Sequence, residues 1–282
     1  MVDAIRALSI RAVVRVTTAA GDAEAMAERG IAQGYKTIVA AGGDGTVNEV
    51  VNGIGEADVA FGILPIGTMN VFALELGIPM NNLRKAWDVI EAGFTRSVDL
   101  PTGNGEYFVQ LAGVGLDAEV VRQTTPDFKR ALGPVSYVVS LAHVAAGKPP
   151  ELTITDAEGI ERKGCFVLVG NGRYYGGPLV LFRDAKLDDG LLDVVVFKNQ
   201  SHWDVMRYVH AILFQAHPEL HDVEYFQSKS IRVESAADVP VELDGEITGC
   251  VPVDFRIAPY QLRVLVPRKR RSHKAGQPST IS

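Results

Sequence analysis

The chain has 282 residues, of which 47% are hydrophobic and 22% charged, and its formal net charge is −6 at pH 7. That is the composition of a globular protein with a sizeable core, long for one domain and comfortable for two, and it argues against a general nucleic-acid binder. No apolar run reaches the roughly 18 residues of a spanning helix and the N-terminus shows no signal-peptide pattern. The only cysteines, Cys165 and Cys250, form neither a disulfide framework nor a zinc constellation, so a reducing cytoplasm is the expected setting.

The first third reads as alternating strands and helices. Val13–Thr17 is expected to be a short strand that leads through Gly21-Asp22 into a helix ending at Gly34. Thr37–Ala41 is apolar and rich in β-branched residues, the pattern of a buried parallel strand. The chain then turns through Gly42-Gly43-Asp44-Gly45 and is expected to enter a helix at Thr46. There Thr46 and Glu49 have capping-box spacing, and Val47, Val50, Val51 and Ile54 form an apolar stripe. Ala60–Leu64 is another buried strand, followed by the turn Pro65-Ile-Gly-Thr-Met-Asn70 and a helix that stops at Gly77 with Pro79 beyond. Asn82 caps a further helix carrying Leu83, Ala86, Trp87 and Ile90. This alternation implies a parallel, doubly wound sheet, whose ligands lie at the carboxyl ends of the strands. Both glycine turns should therefore converge on one site.

After Gly93 the pattern changes to β. Ser97–Leu100 and Glu106–Leu111 flank the hairpin signal Thr102-Gly-Asn-Gly105. Strand-like runs follow at Glu151–Thr155, Cys165–Gly170, Leu191–Phe197, Ser230–Val233, Val239–Leu243, Val251–Ile257 and Leu262–Val266, interrupted by a helix from about Trp203 to Gln215. Together they imply an antiparallel sandwich or barrel. Gly113-Val-Gly-Leu-Asp-Ala118 matches a dinucleotide fingerprint only formally, lacks a clean βαβ context and reads as close packing. The histidines show no metal-ligand grouping; His210 and His217 are expected on one amphipathic helix.

The turn at Gly42–Gly45 leaves helix N-terminal amides aimed at one point, which suits a phosphate, and glycine lets the backbone approach it. Asp44 is out of place in a phosphate cradle unless it binds Mg²⁺, orders water or receives a proton. There is no Gly-Lys-Ser/Thr sequence, so a Walker A loop is excluded.

These motifs carry a resemblance. Gly42-Gly-Asp-Gly-Thr-Val-Asn-Glu49 and Leu64-Pro-Ile-Gly-Thr-Met-Asn70 look like the diacylglycerol kinase catalytic-domain family, of a superfamily shared with sphingosine and NAD kinases. The likeness continues through Gly113–Asp117, Asn171–Gly177, Asp188–Asp193 and Leu243-Asp-Gly-Glu246, and this second-half ensemble resembles bacterial lipid kinases in particular. It implies an N-terminal α/β domain over residues 1–98, a β-sandwich domain over 99–267 whose last strand returns to the first domain, and an active site in the cleft between them. A basic tail, 268–282, would be a disordered end or an electrostatic contact with anionic lipid.

The resemblance further implies ATP contacts at Thr17, Gly43, Asp44, Gly45, Thr46, Val47, Asn48, Glu49 and Thr68, with Mg²⁺ as cofactor. Asp244 or Glu246 would be the general base, Glu246 preferred; read without the resemblance, Asp244-Gly245 is equally a hairpin turn. Asp44 and Asp99 would hold Mg²⁺ through water. A second, structural cation, Mg²⁺ or Ca²⁺, would sit on the Asp189 carboxylate and the carbonyls of Lys186 and Leu191. Asp117 either belongs to this set of acids or caps the helix it begins.

Two departures stand out. Similar kinases carry an acid after Gly-Thr-x-Asn, where this chain has Val71, and they open with a strand and an Asn-Pro turn that is absent before Met1-Val-Asp-Ala. The expected function is transfer of the γ-phosphate of ATP to the hydroxyl of diacylglycerol or a related membrane lipid, by a cytoplasmic protein that touches the inner membrane face peripherally and is a candidate homodimer. The alternatives are an inactive nucleotide- or lipid-binding protein and a NAD kinase.

Overall fold

The computed structural model describes residues 2–8, 11–123 and 149–268. Helix α1 (Val2–Arg6) lies at the N-terminus, with Ile5 and Leu8 packed on the first core. The run 12–17 forms no regular element and is mostly exposed, and no ladder partner lies beside it among the described residues. The expected strand at Val13–Thr17 is therefore not formed: Val13 and Val16 are both more than half exposed, and an extended segment becomes a strand only when a neighbour takes its hydrogen bonds.

Helix α2 (Asp22–Ala32), β1 (Thr37–Gly42), α3 (Asp44–Ile54), β2 (Ala60–Pro65), α4 (Val71–Glu75) and α5 (Leu83–Ala92) follow as the alternation predicts. The Asn82 side chain accepts from the Lys85 amide at 2.9 Å and caps α5. β1 and β2 are parallel, with Thr37 opposite Ala60 and Gly42 opposite Pro65. Helix α2 packs on α3 where Gly53 leaves no room for a side chain against the Glu24 carbonyl, and α5 covers β2 with Ile90 over Gly62.

The remaining elements are mostly strands: β3 (Thr95–Gly103), β4 (Glu106–Tyr107), β5 (Leu111–Val114), helix α6 (Leu116–Gln123), β6 (Leu152–Asp156), β7 (Glu161–Gly164), β8 (Phe166–Gly170), β9 (Tyr174–Tyr175), β10 (Leu179–Val180), β11 (Leu192–Phe197), helix α7 (His202–Leu213), β12 (Val223–Ser228), β13 (Ser230–Glu234), β14 (Pro240–Leu243), β15 (Glu246–Cys250) and β16 (Val253–Leu265). The two runs expected at Val251–Ile257 and Leu262–Val266 are one long strand, β16, bulged between Ile257 and Gln261. Its far end lies parallel to β2, with Arg263 opposite Ala60 and Val264 opposite Phe61, while its near end pairs with β13. A single sheet thus runs from the α/β layer into the sandwich.

The second sheet is antiparallel in the order β12-β11-β8-β5-β14-β15. Its inner face packs Val114, Val169, Val194 and Val241 against Ile154, Val233 and Phe255 of the first sheet, forming the sandwich core. Its outer face is covered by α6 and α7 through Leu116, Val120, Val205, Tyr208 and Ile212. Burial on both faces explains why β8 is an unbroken apolar run and why the one polar residue of β11, Asp193, is buried and bonded to Tyr225 and Gln227. The two helical histidines separate: α7 ends at Leu213, and His217 is buried beyond it with Nε2 2.7 Å from the Leu181 carbonyl.

Candidate active site

β1 and β2 end side by side, so their loops leave the same sheet edge. The amides of Ile66 and Gly67 both donate to the Gly42 carbonyl, at 3.1 and 3.2 Å. The loops touch backbone to backbone: a Cβ on Gly43 would sit 3.3 Å from the Gly67 Cα, and one on Gly67 would overlap Gly43. Gly43 has φ −94°, so its lack of a side chain serves that approach and no left-handed turn. Asn70, at φ 50°, clamps the second loop, accepting from the Gly67 amide at 3.0 Å and donating to the Gly67 carbonyl at 2.8 Å.

The helix after the first loop starts at Asp44, ahead of the expected Thr46, and no capping box forms. The Thr46 side chain instead fills the space over Gly42, and Glu49 Oε2 accepts from the Ala23 amide at 3.0 Å, at the start of α2. The Val47 side chain is in the core and its amide donates to the Gly43 carbonyl at 3.0 Å, so it offers no phosphate contact. That leaves the first-turn amides of Gly45 and Thr46 without a helical acceptor, where an anion is favoured.

Asp44 is used differently from the sequence expectation. Its Oδ1 accepts from the Val71 amide at 2.7 Å, and its carboxylate also meets the amides of Asn70 and Phe72. The Asn70 side chain makes no cap for α4, so Asp44 caps that helix from across the loops. Burial pushes its carboxyl up, and these amides pull it back down. Val71 keeps the contact through its backbone while its side chain is buried.

The turn Asp244-Gly245 joins β14 to β15, with φ 48° and 88° and Leu243 opposite Glu246, a two-residue hairpin. The structure separates its two acids. Asp244 Oδ1 accepts from the amides of Gln110 and Leu111, both at 3.0 Å. Its Oδ2 accepts from the Val109 amide at 2.7 Å and from Asn48 Nδ2 at 3.0 Å. Burial pushes the Asp244 carboxyl up, yet only the ionised form accepts four N–H groups at once, and none of its lone pairs is left for a substrate proton. Glu246 is exposed, and its Oε1 lies 3.7 Å from where a Cβ on Gly45 would be, which places it directly over the first glycine loop.

Gly45 therefore gives a test. It lies in the first turn of α3, where an added Cβ would meet only the Glu246 carboxylate, at 3.7 Å, so Gly45→Ala is expected to stabilise the helix by ~0.5–1 kcal/mol. The added methyl stands between Glu246 and the amides, and turnover should fall even as Tm holds or rises. Paired melting curves and rates check this; unchanged turnover would show that nothing passes between Gly45 and Glu246.

Asp99 does not join Asp44. Its Oδ2 accepts from the Gly190 amide at 2.6 Å and its Oδ1 from Gln261 Nε2 at 2.8 Å, so its carboxylate is turned to the 186–191 loop. In that loop the Leu191 amide donates to Asp189 Oδ1 at 3.2 Å. Burial raises the Asp189 carboxyl, and the nearby charges of Asp99 and Asp188 raise it further. The Leu191 amide and the Lys186 charge pull it back down, and Asp188 is itself paired with Arg96 at 2.9 Å. Among the described residues no group of three or more His, Cys, Asp or Glu side chains is placed to hold a metal, and the expected set of Asp189 with the Lys186 and Leu191 carbonyls has a single carboxylate.

Thr17 and Thr68 are both exposed in loops at this edge, Thr17 just before the Thr18 and Ala19 amides that bond to Asp22. Several contacts here escape sequence reasoning. Asn48 and Asn52 stack one turn apart on α3 and both donate to the Tyr107 carbonyl at 3.0 Å, while the Tyr107 amide donates to Asn52 Oδ1 at 2.9 Å. Glu75 of α4 accepts from the Arg173 amide at 2.8 Å and from Arg173 Nε at 3.0 Å. The i, i+4 asparagines were the one available signal, since an amide pair on one helix face grips a backbone well. Asp117 caps nothing: its buried carboxylate accepts from the Tyr175 hydroxyl and faces Glu242.

Comparison with known proteins identifies the family. Residues 1–103 match the family model of the diacylglycerol kinase catalytic domain, and residues 110–266 match the YegS C-terminal NAD kinase beta sandwich-like domain. The chain is 31% identical to a diacylglycerol kinase of Bacillus subtilis (strain 168), covering 90% of this chain and 85% of the relative. It is 32% identical to one of Staphylococcus aureus (strain Newman), covering 88% and 79%. The fold is similar to the crystal structure of a diacylglycerol kinase from Bacillus anthracis str. Sterne, with a TM-score of 0.76 at 27% identity over 93% of this chain and 88% of that one. With both halves matched and the relatives covered along most of their length, the chain belongs to the diacylglycerol kinase catalytic-domain family, a family of lipid kinases.

Proposed function

We propose that this enzyme transfers the γ-phosphate of ATP to the hydroxyl of diacylglycerol or a closely related membrane lipid alcohol. The observation that carries the reading is the placement of Glu246 over the Gly45 turn of α3. The amides of Gly45 and Thr46 hold phosphate oxygens, and Glu246 takes the proton of the attacking hydroxyl. Phosphoryl transfer needs little more than positioning and charge neutralisation, and a divalent cation supplies the latter when bound. Asp44 and the 186–191 loop are the candidate places for it, Asp44 near the phosphates and the loop as a structural site. Asp99 serves the loop, and Asp244, Asn48 and Glu49 set the geometry of the cleft without touching the transferred group. The division into residues 1–98, 99–267 and a tail is proposed with β16 as the element shared by the first two.

Incubation with labelled ATP, Mg²⁺ and a panel of lipid alcohols in mixed micelles tests the reading directly. A labelled phospholipid product supports it. Product with NAD⁺ alone, or nucleotide binding without turnover, would replace it with one of the other two readings, neither of which the likenesses above favour.

No helix among the described residues is long and apolar enough to cross a membrane, so the enzyme is proposed to meet its substrate at the bilayer surface. The outward face of α7 fits that contact: its exposed residues are His202, Trp203, Met206, His210 and Leu213, with exposed Phe214 following, and no acid is among them. The basic tail falls outside the described residues beyond Arg268. Trp203 is 85% exposed and Trp87 only 8%, so Trp87 contributes a constant emission and a lipid-induced change reads Trp203. Anionic vesicles are expected to shift that emission to the blue and Trp203→Phe to abolish the shift; unchanged emission at saturating lipid would remove this face from membrane contact.

A further inference from the structure

Behind the Asp244-Gly245-Glu246 turn lies a pair of buried acids with no part in the chemistry above. Glu242 of β14 is 1% exposed and Asp117 of α6 is 7% exposed. Glu242 Oε2 accepts from the Gly245 amide at 2.7 Å, the peptide between the two acids of the turn. Its Oε1 has no N–H or hydroxyl partner and faces Asp117 Oδ2; the two oxygens would lie 2.8 and 2.9 Å from a Cβ on Gly113. Gly113 leaves the room in which they meet, which accounts for the glycine in the formal fingerprint. The other oxygen of Asp117 accepts from the Tyr175 hydroxyl. Two bare carboxylates this close and this dry would repel, and one proton held between them removes the repulsion. Burial first, and then the neighbouring Asp117 charge, push the Glu242 carboxyl well above its usual range.

The groups facing Glu242 are thus Asp117 from α6, Gly245 and Asp244 from its own hairpin, and Tyr175 through Asp117. The chain of contacts from Tyr175 through Asp117 and Glu242 ends on the one peptide that aims Glu246. Tyr175 belongs to the 171–177 loop, whose Arg173 is clamped to Glu75 of α4, so the same chain ties the turn to the loop that abuts the first domain.

We propose that Glu242, sharing a proton with Asp117, is a positioning residue: it holds the Gly245 peptide so that the Glu246 carboxylate stands over the first glycine loop. This rests on the lipid-kinase reading for the role of Glu246. What the turn requires of residue 242 is an acceptor of the right reach. Charge is not required, because the shared proton already leaves the pair with a single negative charge.

Two substitutions separate reach from charge. Glu242→Gln keeps the reach: its carbonyl accepts from Gly245 and its amide donates to Asp117 without a shared proton. Glu242→Asp keeps the acid but withdraws it by one methylene from the Gly245 amide. Glu242→Gln is expected to retain kcat within about threefold of wild type, and Glu242→Asp to lose at least tenfold in kcat with KM for ATP within twofold. Should Glu242→Asp not fold by circular dichroism, Glu242→Met, which fills the same volume without an acceptor, takes its place with the same expectation. Hydrogen exchange of the 240–250 peptide is measured alongside, with slow exchange of the Gly245 amide expected in wild type and Glu242→Gln and fast exchange in Glu242→Asp. Equal kcat in all variants overturns the proposal, as does the reverse order, with Glu242→Asp active and Glu242→Gln not. If the wild type phosphorylates no lipid alcohol, the functional reading fails by itself; slow Gly245 exchange in Glu242→Asp would still overturn the contact.

Discussion

Glu246→Gln is expected to lower kcat by about 10²–10⁴ while leaving KM for ATP and Tm close to wild type. The side chain is exposed at the start of β15 and reaches toward the Gly45 turn, so its amide replacement costs no buried hydrogen bond. What disappears is the proton acceptor for the attacking hydroxyl. The amides of Gly45 and Thr46 still face the phosphates, which is why ATP affinity should hold. Steady-state kinetics against ATP at saturating lipid, with a melting curve on the same preparation, give the answer. If the variant turns over like wild type, proton removal is assigned elsewhere. If KM for ATP rises steeply instead, Glu246 acts on the bound nucleotide, through a cation or directly.

How far the sequence could lead to this site depends on the kind of contact involved. The strand–turn–helix at Thr37–Ile54 was readable because β-branched residues, glycines and a helical stripe are local signals, and the second glycine turn repeats them. Even there the local rules mislead. Thr46 and Glu49 have the spacing of a capping box, yet Thr46 packs on Gly42 and Glu49 reaches α2, because contacts between loops and helices outweigh a cap the helix can do without. The glycines looked like space for a ligand, and Gly43 and Gly67 turn out first to be space for each other.

Contacts distant in sequence left no such trace. Nothing in the sequence shows that the amides at the start of α4 gather around Asp44, and Asp99 looks like its partner until Gly190 and Gln261 are seen on its two oxygens. Glu242 carried no signal at all, since an acid inside an otherwise apolar strand reads as a surface position until the strand is known to be covered on both faces. Val13–Thr17 failed in the opposite direction. Its composition is that of a strand, but strand formation depends on a neighbour, and composition does not report one.

Asp244→Asn is expected to show itself in stability, in contrast to Glu246→Gln. Asparagine tolerates the left-handed φ of 48° as well as aspartate does, so the hairpin itself is not strained by the change. The damage comes from the hydrogen bonds. The amides of Val109, Gln110 and Leu111 and the side chain of Asn48 all donate to the carboxylate, and an asparagine presents two of these donors with an NH₂ group. Each buried donor left unpaired costs ~1–3 kcal/mol, so a loss of about 2–5 kcal/mol is expected. At the size of this chain that corresponds to a fall in Tm of roughly 5–15 °C. Catalysis should fall with it, because Asn48 on α3 and the Val109–Leu111 backbone are held in register by this one side chain. Activity lost in proportion to the folded fraction, together with a lowered Tm, fits an anchor. A variant that melts like wild type but turns over a hundredfold more slowly would mean that Asp244 takes the proton after all, and that its four donors are loosened when substrate binds.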